Sequence, residues 1–301
     1  MSNHEVYSYG VVSSSTLYRI HGRFPQVQGY AEIEDVHFMT GGEATNSSIV
    51  LSRLGASVKL DGNWLGAEPG GERTKAILSG YGIDTSRLPL KEDYVGVQEM
   101  VVADADSRTI FGTYGRLLEN AEWNEPIAED IVGAAVVCLD PFFAEPATRV
   151  AKIAFDARVP VVTVDCKTDA ELLRHTSAVV IAESFINEHY PDRELEDLIR
   201  EYEAATDGLV VFTFGDAPVW YGRKGDAIRF VEPPTINPVD TTGGGDAFRA
   251  GVVFGFLQGW DDERIVRFSA SLAALVCTRF PGVLDSPGLS EVVTLMDAEA
   301  S

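Results

Sequence analysis

The sequence is poor in positive charge. Its 301 residues contain 24 Lys and Arg against 46 Asp and Glu, which gives a formal net charge of −22, and only 6 of the basic residues are Lys. The halves before and after residue 150 carry −10 and −12. Because neither half offers a basic surface, the composition argues against nucleic acid or an anionic membrane as the main partner. The acid-rich, Lys-poor composition fits either a high-salt cytoplasm or an ordinary soluble acidic surface.

The sequence also has few cysteines and no long apolar run. Its three cysteines, Cys138, Cys166 and Cys277, lie far apart and form no CxxC pair, so we expect neither a disulfide framework nor a cysteine zinc site. The five histidines never stand at metal-ligand spacing. The longest apolar runs have the length of buried strands, and no secretion signal is visible at the N-terminus. We therefore expect a cytoplasmic protein that is not inserted in a membrane.

The sequence does contain enough apolar material for a large core, since apolar types make up 45% of it. Almost wholly apolar runs at 134–139, 159–164, 178–182 and 209–214 alternate with helical patterns. Helices are predicted at 46–54, 71–81, 146–157, 170–175, 193–205, 247–258 and 262–279, and a hairpin at 220–231. Such strands predict an α/β fold with a mainly parallel sheet that is buried on both faces. Extended segments at about 15–40 and 95–115, the second with a turn at 104–108, predict a small separate sheet.

The segment from Asp240 to Asp246 carries the strongest chemical signal. Its three consecutive glycines, Gly243, Gly244 and Gly245, directly precede a helical pattern. Glycine N–H groups at a helix N-terminus form an anion-binding cup, and the helix dipole strengthens it. Asp246 adds a carboxylate at the mouth of this cup, where it could take a proton from an attacking hydroxyl. Alternatively, the glycines form a tight turn and Asp246 caps the helix.

Two short patterns resemble the signatures of a known family. The C-terminal signature of the ribokinase-like (PfkB) carbohydrate kinases resembles Asp240-Thr241-x-Gly243-x-Gly245-Asp246. The family's N-terminal landmark is similar to Gly41-Gly42, followed by Asn46 and by the helix end Leu51-Ser-Arg-Leu-Gly55. The resemblance covers roughly residues 6–290 in the family's order. The sequence contains neither GxGxxG nor GxxxxGK[ST], so it supports neither a Rossmann dinucleotide site nor a P-loop.

The resemblance implies a ribokinase-like fold in which residues 1–301 form a single kinase domain and the segments 15–40 and 95–115 form its lid. It implies ATP-dependent phosphorylation of a hydroxyl, with Asp246 as the base and the N–H groups of Gly243–Gly245 as the anion hole. It also implies Mg²⁺ with the nucleotide, and K⁺ near backbone oxygens of Asp240 and Thr242. The implied nucleotide-binding positions are Thr213, Gly215, Thr241, Ala274 and Thr278. A strand end turning at Gly215 and helix packing at Ala274 and Thr278 are the structural alternatives.

The resemblance also implies acceptor and metal positions. The implied acceptor contacts are Ser15, Gly41, Gly42, Asn46, Gln98, Tyr114 and Arg116. The implied metal contacts, acting indirectly, are Asp140 and Glu183. Asn46 could instead cap its helix, and the aromatic and Arg side chains of the lid could belong to the lid core.

The sequence departs from the family pattern at three places. Sugar kinases of the family often have an Asp in the loop that reads Ser13-Ser14-Ser15-Thr16 here, which argues against ribose as the acceptor. The family's Asn-x-x-Glu motif reads Glu183-Ser-Phe-Ile186, which weakens the Mg²⁺ assignment. The middle glycine of the anion cup, Gly244, stands where the family usually has Ala.

These patterns favour an ATP-dependent kinase of a small sugar or sugar derivative. The stretch from Arg108 to Tyr114 resembles fructosamine-type kinases, but 2-keto-3-deoxy sugar acids and simple hexoses stay open as acceptors. One alternative is a nucleoside kinase of the same family, and another is a non-catalytic sugar- or nucleotide-binding sensor. The expected partners are the acceptor and ATP, without nucleic acid or membrane, and the lid offers a contact for a homodimer.

Overall fold

A mostly parallel β-sheet forms the centre of the molecule. The structure, a computed structural model, describes residues 4–104 and 108–299. Its strands in chain order are β1 (Val6–Gly10), β2 (Ser13–Ile20), β3 (Ile33–Gly41), β4 (Val58–Gly62), β5 (Leu65–Gly66), β6 (Leu90–Lys91), β7 (Gln98–Ala103), β8 (Arg108–Gly112), β9 (Val136–Leu139), β10 (Val161–Val164), β11 (Ala178–Ala182), β12 (Leu209–Phe214), β13 (Ala217–Gly222) and β14 (Arg229–Val231). The large sheet has the order β14-β13-β12-β11-β10-β9-β1-β4; it is parallel from β4 to β12, and the β13–β14 hairpin adds antiparallel strands at one edge. The predicted α/β fold with a mainly parallel sheet is confirmed.

Helices cover both faces of this sheet. They are α1 (Glu43–Arg53), α2 (Pro69–Gly80), α3 (Tyr114–Asn120), α4 (Ala128–Val132), α5 (Glu145–Asp156), α6 (Glu183–His189), α7 (Leu195–Ala205), α8 (Gly244–Gln258), α9 (Asp262–Cys277) and α10 (Leu289–Ala298). Short 3₁₀ helices lie at Pro141–Phe143 and Glu171–His175, the second where a helix was predicted. In the described part of the chain, no helix is long and apolar enough to cross a membrane.

The strands are apolar along their whole length because both of their faces are buried. Successive side chains of a strand point to opposite faces, so neighbouring residues of β9 enter different cores. Cys138 belongs to the core that also contains residues of α1, α8 and α9. Val137 belongs to the core that contains residues of α5 and α7. This two-sided burial explains why continuous apolar runs marked the parallel strands in the sequence.

Two helices begin earlier than the apolar periodicity predicts, and each begins directly after a glycine with positive φ. α1 begins at Glu43 rather than at 46, after Gly42 with a φ of 96°. α8 begins at Gly244 rather than at 247, after Gly243 with a φ of 77°. Glycine adopts such angles without strain, and the first turns that follow are polar or glycine-rich, so a hydrophobic period does not reveal them. The two N-termini meet, because Asn46 of α1 donates a hydrogen bond to Asp246 of α8.

A separate small sheet has the order β3-β2-β7-β8. β2 pairs antiparallel with β3 and parallel with β7, and β7 pairs antiparallel with β8. One face of this sheet carries the small core of Leu17, Met39 and Val101. The opposite face exposes large apolar side chains, among them Phe38, Met100 and Phe111. Of the predicted turn at 104–108, residues 105–107 lie outside the described residues. That residues 1–301 form one domain with this sheet as its lid stays a prediction.

Candidate active site

A cavity of about 450 Å³ lies between the carboxyl ends of the parallel strands and the core face of the small sheet. The strands β10, β11 and β12 contribute Val164, Ala182 and Thr213 to its lining. The small sheet contributes Leu17 and Met39, among others. Open α/β sheets bind their ligands at this edge, and the volume is typical of small-molecule sites.

The loop before α8 and the first turn of that helix form one wall of the cavity. A Cβ at Gly243 would overlap Val283, and a Cβ at Gly244 would come within 2.9 Å of the Sγ atom of Cys277. The N–H of Gly244 already donates to the Thr241 carbonyl at 3.2 Å. Because the first N–H groups of a helix have no intrahelical acceptor, those of Gly245 and Asp246 are available to an anion.

Asp246 lies in the first turn of α8 and lines the cavity. Its Oδ2 accepts a hydrogen bond from Nδ2 of Asn46 at 2.7 Å, and its backbone carbonyl accepts one from the Ser47 hydroxyl at 3.0 Å. The helix cap is Gly243 rather than Asp246, so the alternative of a capping aspartate is wrong. The cap of α1 is likewise Gly42, and the side chain of Asn46 does not cap its own helix.

The carboxyl group of Asp246 is poised to titrate near neutral pH. Burial raises its pKa to about 7, although the Arg249 guanidinium and the Asn46 amide act in the opposite direction. The nearby charges of Asp140 and Glu99 add to the rise. A carboxylate with such a pKa binds a proton more readily than an ordinary aspartate, which suits a general base working near pH 7.

Besides Glu99 of the small sheet, two further acidic side chains line the cavity, Glu43 and Asp165. Burial, followed by the charges of Asp140 and Asp246, raises the pKa of Glu43 well above its ordinary value. Burial also raises the pKa of Asp165, whose Oδ1 accepts a hydrogen bond from the Ala182 N–H at 2.8 Å. The sequence analysis missed both residues. A carboxylate following an apolar strand was the available signal for Asp165, and no local signal marks Glu43.

The small sheet and the first residue of α3 place further polar side chains in the cavity. Ser15 and Glu99 lie opposite each other on β2 and β7. Tyr114 lines the cavity too and donates a hydrogen bond to the Glu99 carboxylate. Burial, followed by the charge of Glu99, raises the pKa of the Tyr114 phenol, so it stays a donor.

Arg108, at the start of β8, reaches the loop before α8. Its Nη1 donates to the Thr241 hydroxyl at 3.1 Å and to the Thr242 hydroxyl at 3.2 Å. Among the described residues that line the cavity, it is the only Lys or Arg. The guanidinium is exposed to solvent and lies beside the N-terminus of α8, so the positive field of the site is concentrated there.

Gln98 is separated from the cavity by the alternation of its strand. Gln98 faces the outer groove of the small sheet together with Ser14 and Thr16, whereas Glu99 faces the cavity. The residue of β7 that lines the cavity is therefore Glu99 rather than the predicted Gln98, because neighbouring residues of a strand point to opposite faces.

Arg116 is also directed elsewhere. It donates hydrogen bonds to the carbonyl of Val95 and to the Glu122 carboxylate, and its guanidinium lies 5.0 Å from the centre of the Tyr94 ring. These contacts hold Arg116 on the outside of the described cavity, so its expected acceptor contact is corrected as well. Among the remaining acceptor positions, Gly41, Gly42 and Asn46 line the cavity.

The predicted nucleotide positions fall into two groups. Thr213 and Thr241 line the cavity. Gly215, Ala274 and Thr278 are not among its described lining residues; Gly215 turns with a φ of 65° after β12, and Thr278 donates its hydroxyl to the Leu275 carbonyl. Gly215 follows β12, Ala274 lies on α9, and Thr278 follows the last residue of α9.

The two predicted metal positions do not present free carboxylates to the cavity. Asp140 is fully buried, pairs with Arg249 at 2.5 Å and accepts hydrogen bonds from the N–H groups of Val11 and Ala44. Glu183 begins α6 at the surface, and its neighbours Ala182 and Ser184 line the cavity in its place. In residues 4–104 and 108–299, no group of three or more His, Cys, Asp or Glu side chains could hold a metal ion. The carboxylate of Asp140 is engaged in a buried ion pair, and its indirect contact with a metal stays a prediction.

Comparison with known proteins agrees with this architecture. Among curated proteins, the chain is 28% identical over 295 residues to a nucleoside kinase of Methanothermobacter thermautotrophicus, with 94% of this chain and 93% of that protein covered. It is also 28% identical over 305 residues to an ATP-dependent ribose-1-phosphate kinase of Halopiger xanaduensis, with 97% of each covered. A solved ribokinase of Arabidopsis thaliana, complexed with ribose and ATP, shares the fold at a TM-score of 0.82 and 19% identity, covering 98% of this chain and 99% of that one.

A family model gives the broadest match. The model described as pfkB family carbohydrate kinase matches residues 4–287, nearly the whole chain. The match includes the loop before α8, the N-terminus of α1 and both segments of the small sheet. This chain therefore belongs to the pfkB family of carbohydrate kinases.

Proposed function

We propose that the protein transfers the γ-phosphoryl group of ATP to a hydroxyl of an uncharged acceptor, with a nucleoside as the first candidate. The observation that carries this proposal is the carboxylate of Asp246, which lines the cavity one residue from the anion-binding N–H of Gly245. A base beside an anion site is what transfer of a phosphoryl group to a hydroxyl requires.

Asp246 takes the proton of the acceptor hydroxyl as the new O–P bond forms and the bond to ADP breaks. Asn46 holds the carboxylate through its 2.7 Å hydrogen bond. The acceptor contacts are Ser15, Gly41, Gly42, Asn46 and Tyr114, with Glu99 in place of Gln98. A Cβ at Gly41 would overlap the Glu99 carboxylate, so the glycine lets that carboxylate pack against the backbone inside the cavity.

The transferring group binds where the positive field is strongest. The N–H groups of Gly245 and Asp246 and the guanidinium of Arg108 surround that position, with Gly243 and Gly244 shaping the turn. Mg²⁺ bound with ATP would neutralise phosphate charge, and Asp165, a carboxylate that lines the cavity, and Glu183 would hold it through water. Thr213, Gly215, Thr241, Ala274 and Thr278 hold the nucleotide.

An uncharged acceptor fits the acidic half of the cavity best. Glu43, Glu99 and Asp246 line that half, and Arg108 is committed to the loop before α8. A phosphate or carboxylate on the acceptor would therefore meet like charges. The relative from Methanothermobacter thermautotrophicus is named a nucleoside kinase, and the one from Halopiger xanaduensis a ribose-1-phosphate kinase. The cavity charges favour the first.

Measurement of ADP release with ATP and a panel of acceptors tests this function. The panel contains nucleosides, ribose, ribose-1-phosphate, hexoses, a sugar acid and a fructosamine. We expect the highest kcat/KM with a nucleoside. A higher kcat/KM with ribose-1-phosphate or with a sugar acid would overturn the choice of an uncharged acceptor, and no turnover with any of them would leave only the sensor alternative.

Replacement of the base separates an enzyme from a sensor. Asp246→Asn should lower kcat by about 100-fold or more, the usual contribution of a general base, while ATP binding measured by calorimetry is retained. Asp216→Asn, at an exposed position before β13, is the matched control and should change neither quantity. Unchanged turnover in Asp246→Asn would contradict the assignment of the base.

A monovalent cation next to the loop before α8 is part of the proposal. Oδ1 of Asp240 accepts from the Thr242 N–H at 2.9 Å, whereas Oδ2 is buried without a hydrogen-bond partner in the described residues. An unpartnered buried carboxylate oxygen fits a K⁺ ion held with backbone oxygens. Turnover should therefore rise with KCl and not with choline chloride, and Asp240→Asn should lose that difference.

The outer face of the small sheet is the proposed contact of a homodimer. Phe38, Met100 and Phe111 are 51%, 42% and 47% exposed there. A cluster of exposed apolar side chains marks a contact surface more often than a solvent-facing one. Light scattering should give twice the chain mass, and Phe111→Ser should shift it towards the monomer. A monomeric wild-type protein would contradict this contact.

A further inference from the structure

Arg249 is a fully buried arginine that the reaction described above does not use. It lies on α8, three residues after Asp246, and its side chain is 0% exposed. Nη1 pairs with Oδ1 of Asp140 at 2.5 Å. Nε donates to the Ser47 hydroxyl at 3.0 Å, and that hydroxyl donates to the backbone carbonyl of Asp246 at 3.0 Å. One side chain thus connects the base with a second carboxylate and with α1.

We propose that Arg249 is a positioning residue that fixes the catalytic base through Ser47 and supplies the positive charge that lets a carboxylate ionise there. It touches neither the acceptor nor the nucleotide, since it is absent from the described lining of the cavity. The inference rests on the proposed function of Asp246 as the base. It concerns how this chain keeps that base usable in an acidic cavity.

The charges around Asp246 make a buried cation necessary. The charged and titratable side chains that face this region come from α1, the strand ends, the small sheet, α3 and α8 itself: Glu43, Glu99, Arg108, Tyr114, Cys138, Asp140, Asp165 and Arg249. Acidic groups outnumber the two cations. Arg108 is exposed and bound to threonine hydroxyls, so only Arg249 holds its charge in the low-dielectric interior next to the base.

Asp140 neutralises only part of the positive charge of Arg249, so the rest of that charge acts on Asp246. Asp140 also accepts hydrogen bonds from the N–H groups of Val11 at 2.8 Å and Ala44 at 3.1 Å, which compensate part of its negative charge independently. Nη2 of Arg249 is buried without a hydrogen-bond partner in the described residues. Arg249 also acts to lower the pKa of Asp246, more strongly than any other charge that faces it.

Stability alone does not account for this arrangement. A buried ion pair contributes little compared with well-packed apolar side chains of similar size, because both charges are taken out of water. α8 is otherwise apolar on the buried face that carries Arg249, with Phe248 and Val252 in the same core. Apolar residues at positions 140 and 249 together would therefore be tolerated by the fold if the site did not need the charge.

The test measures the pH at which the base ionises, with and without Arg249. Arg249→Gln removes the charge but leaves Asp140 buried without its partner. The double variant Asp140→Asn with Arg249→Met removes both charges and keeps the fold if the single variant loses it. We expect the rising limb of kcat/KM against pH to move to higher pH by about one unit in Arg249→Gln relative to the wild type. The double variant should show the same move relative to Asp140→Asn alone, because loss of the Asp140 charge by itself moves the limb in the opposite direction. A move of one unit is an activity loss of about fivefold at pH 7 with recovery at alkaline pH.

A buried ion pair far from the cavity provides the matched control. Arg87 pairs with the fully buried Asp61 at 3.0 Å. Arg87→Gln should lower the melting temperature without moving the limb of the pH profile. If the folded double variant has the same limb as Asp140→Asn alone, or if the Arg87 variant moves the limb as far as Arg249→Gln does, the proposal is wrong.

A second readout needs no catalysis. The difference in melting temperature between a protein and its Asp246→Asn variant depends on pH mainly through the ionisation of Asp246. The pH at which this difference in melting temperature changes should be higher in the protein with Arg249 replaced than in the wild type. If no acceptor is phosphorylated, the proposed function fails but this measurement still decides the electrostatic role; an unchanged dependence would refute it.

Discussion

Asp246→Asn should abolish turnover and, at alkaline pH, stabilise the fold. The carboxyl group of Asp246 is raised from a pKa of 3.8 to about 7, mainly by burial. A group with a raised pKa binds its proton more tightly in the folded state than in the unfolded state. Stability from this group is therefore present at low pH, declines as the pH rises from about 4 to about 7, and is absent above that range.

The magnitude follows from the shift. A rise of about 3 pH units corresponds to about 4 kcal/mol of destabilisation by the ionised carboxylate, at 1.36 kcal/mol per unit. Asparagine has the same size and keeps an oxygen that accepts from Asn46, but it does not ionise. At an unfolding entropy of about 2 cal/mol/K per residue, 4 kcal/mol corresponds to a rise in Tm of roughly 6 °C, which is an upper bound.

Thermal unfolding of both proteins from pH 4.5 to pH 8.5 measures this effect. The difference in Tm should be near zero at the acid end and reach its full value above about pH 7. Asp216→Asn, which removes an exposed carboxylate, controls for the change in net charge and should show a flat difference. A variant that is less stable at every pH, or a difference that does not change with pH, would refute the reasoning about Asp246.

The other predictions concern residues around the base. Gly244→Ala should destabilise the protein by about 1–3 kcal/mol, because its Cβ would lie 2.9 Å from Sγ of Cys277; adding Cys277→Ala should restore most of the loss in denaturant unfolding, and no rescue would contradict the steric cause. Arg108→Gln should lower kcat by about tenfold or more without changing Tm by more than about 1 °C, since the side chain is exposed. A kcat equal to that of the wild type would show that Arg108 does not contact the transferred phosphoryl group. Tyr114→Phe should raise KM for the acceptor several-fold and leave KM for ATP unchanged, because the phenol donates a hydrogen bond to Glu99 on the acceptor side. A change in KM for ATP alone would contradict the assignment of Tyr114 to the acceptor side.

Features encoded in short segments could be predicted from the sequence. Continuous apolar runs predicted β9 to β12 because each of these strands is buried on both faces. The segment from Asp240 to Asp246 predicted a turn that leads into a helix, and α8 begins within it. The N-terminus of α1 was missed by three residues, since the signal there is the positive φ of Gly42 rather than a hydrophobic period.

Features that depend on register or on distant residues could not be predicted. The choice between Gln98 and Glu99 depends on which face of β7 meets the cavity, and weak alternation on a partly exposed strand does not decide it. The pairing of Asp140 with Arg249 joins residues 109 positions apart. An aspartate directly after an apolar strand has the position of a ligand-binding residue. The sequence does not show that the oxygens of Asp140 already accept hydrogen bonds from Val11 and Ala44, which lie on other parts of the chain.

The protein has a net charge of −22, and its charged side chains are unevenly distributed around the cavity. Acidic side chains gather at the acceptor half of the cavity, around Glu43 and Glu99, while Arg108 and the N-terminus of α8 form the phosphoryl half. Under the proposed function, this asymmetry orients the two substrates, because phosphates are favoured at one end and repelled at the other. The buried Arg249 sits below the boundary between the halves, where Asp246 must carry a negative charge beside an incoming phosphoryl group. A carboxylate at that boundary serves as a base only if one buried cation compensates the acidic cluster behind it.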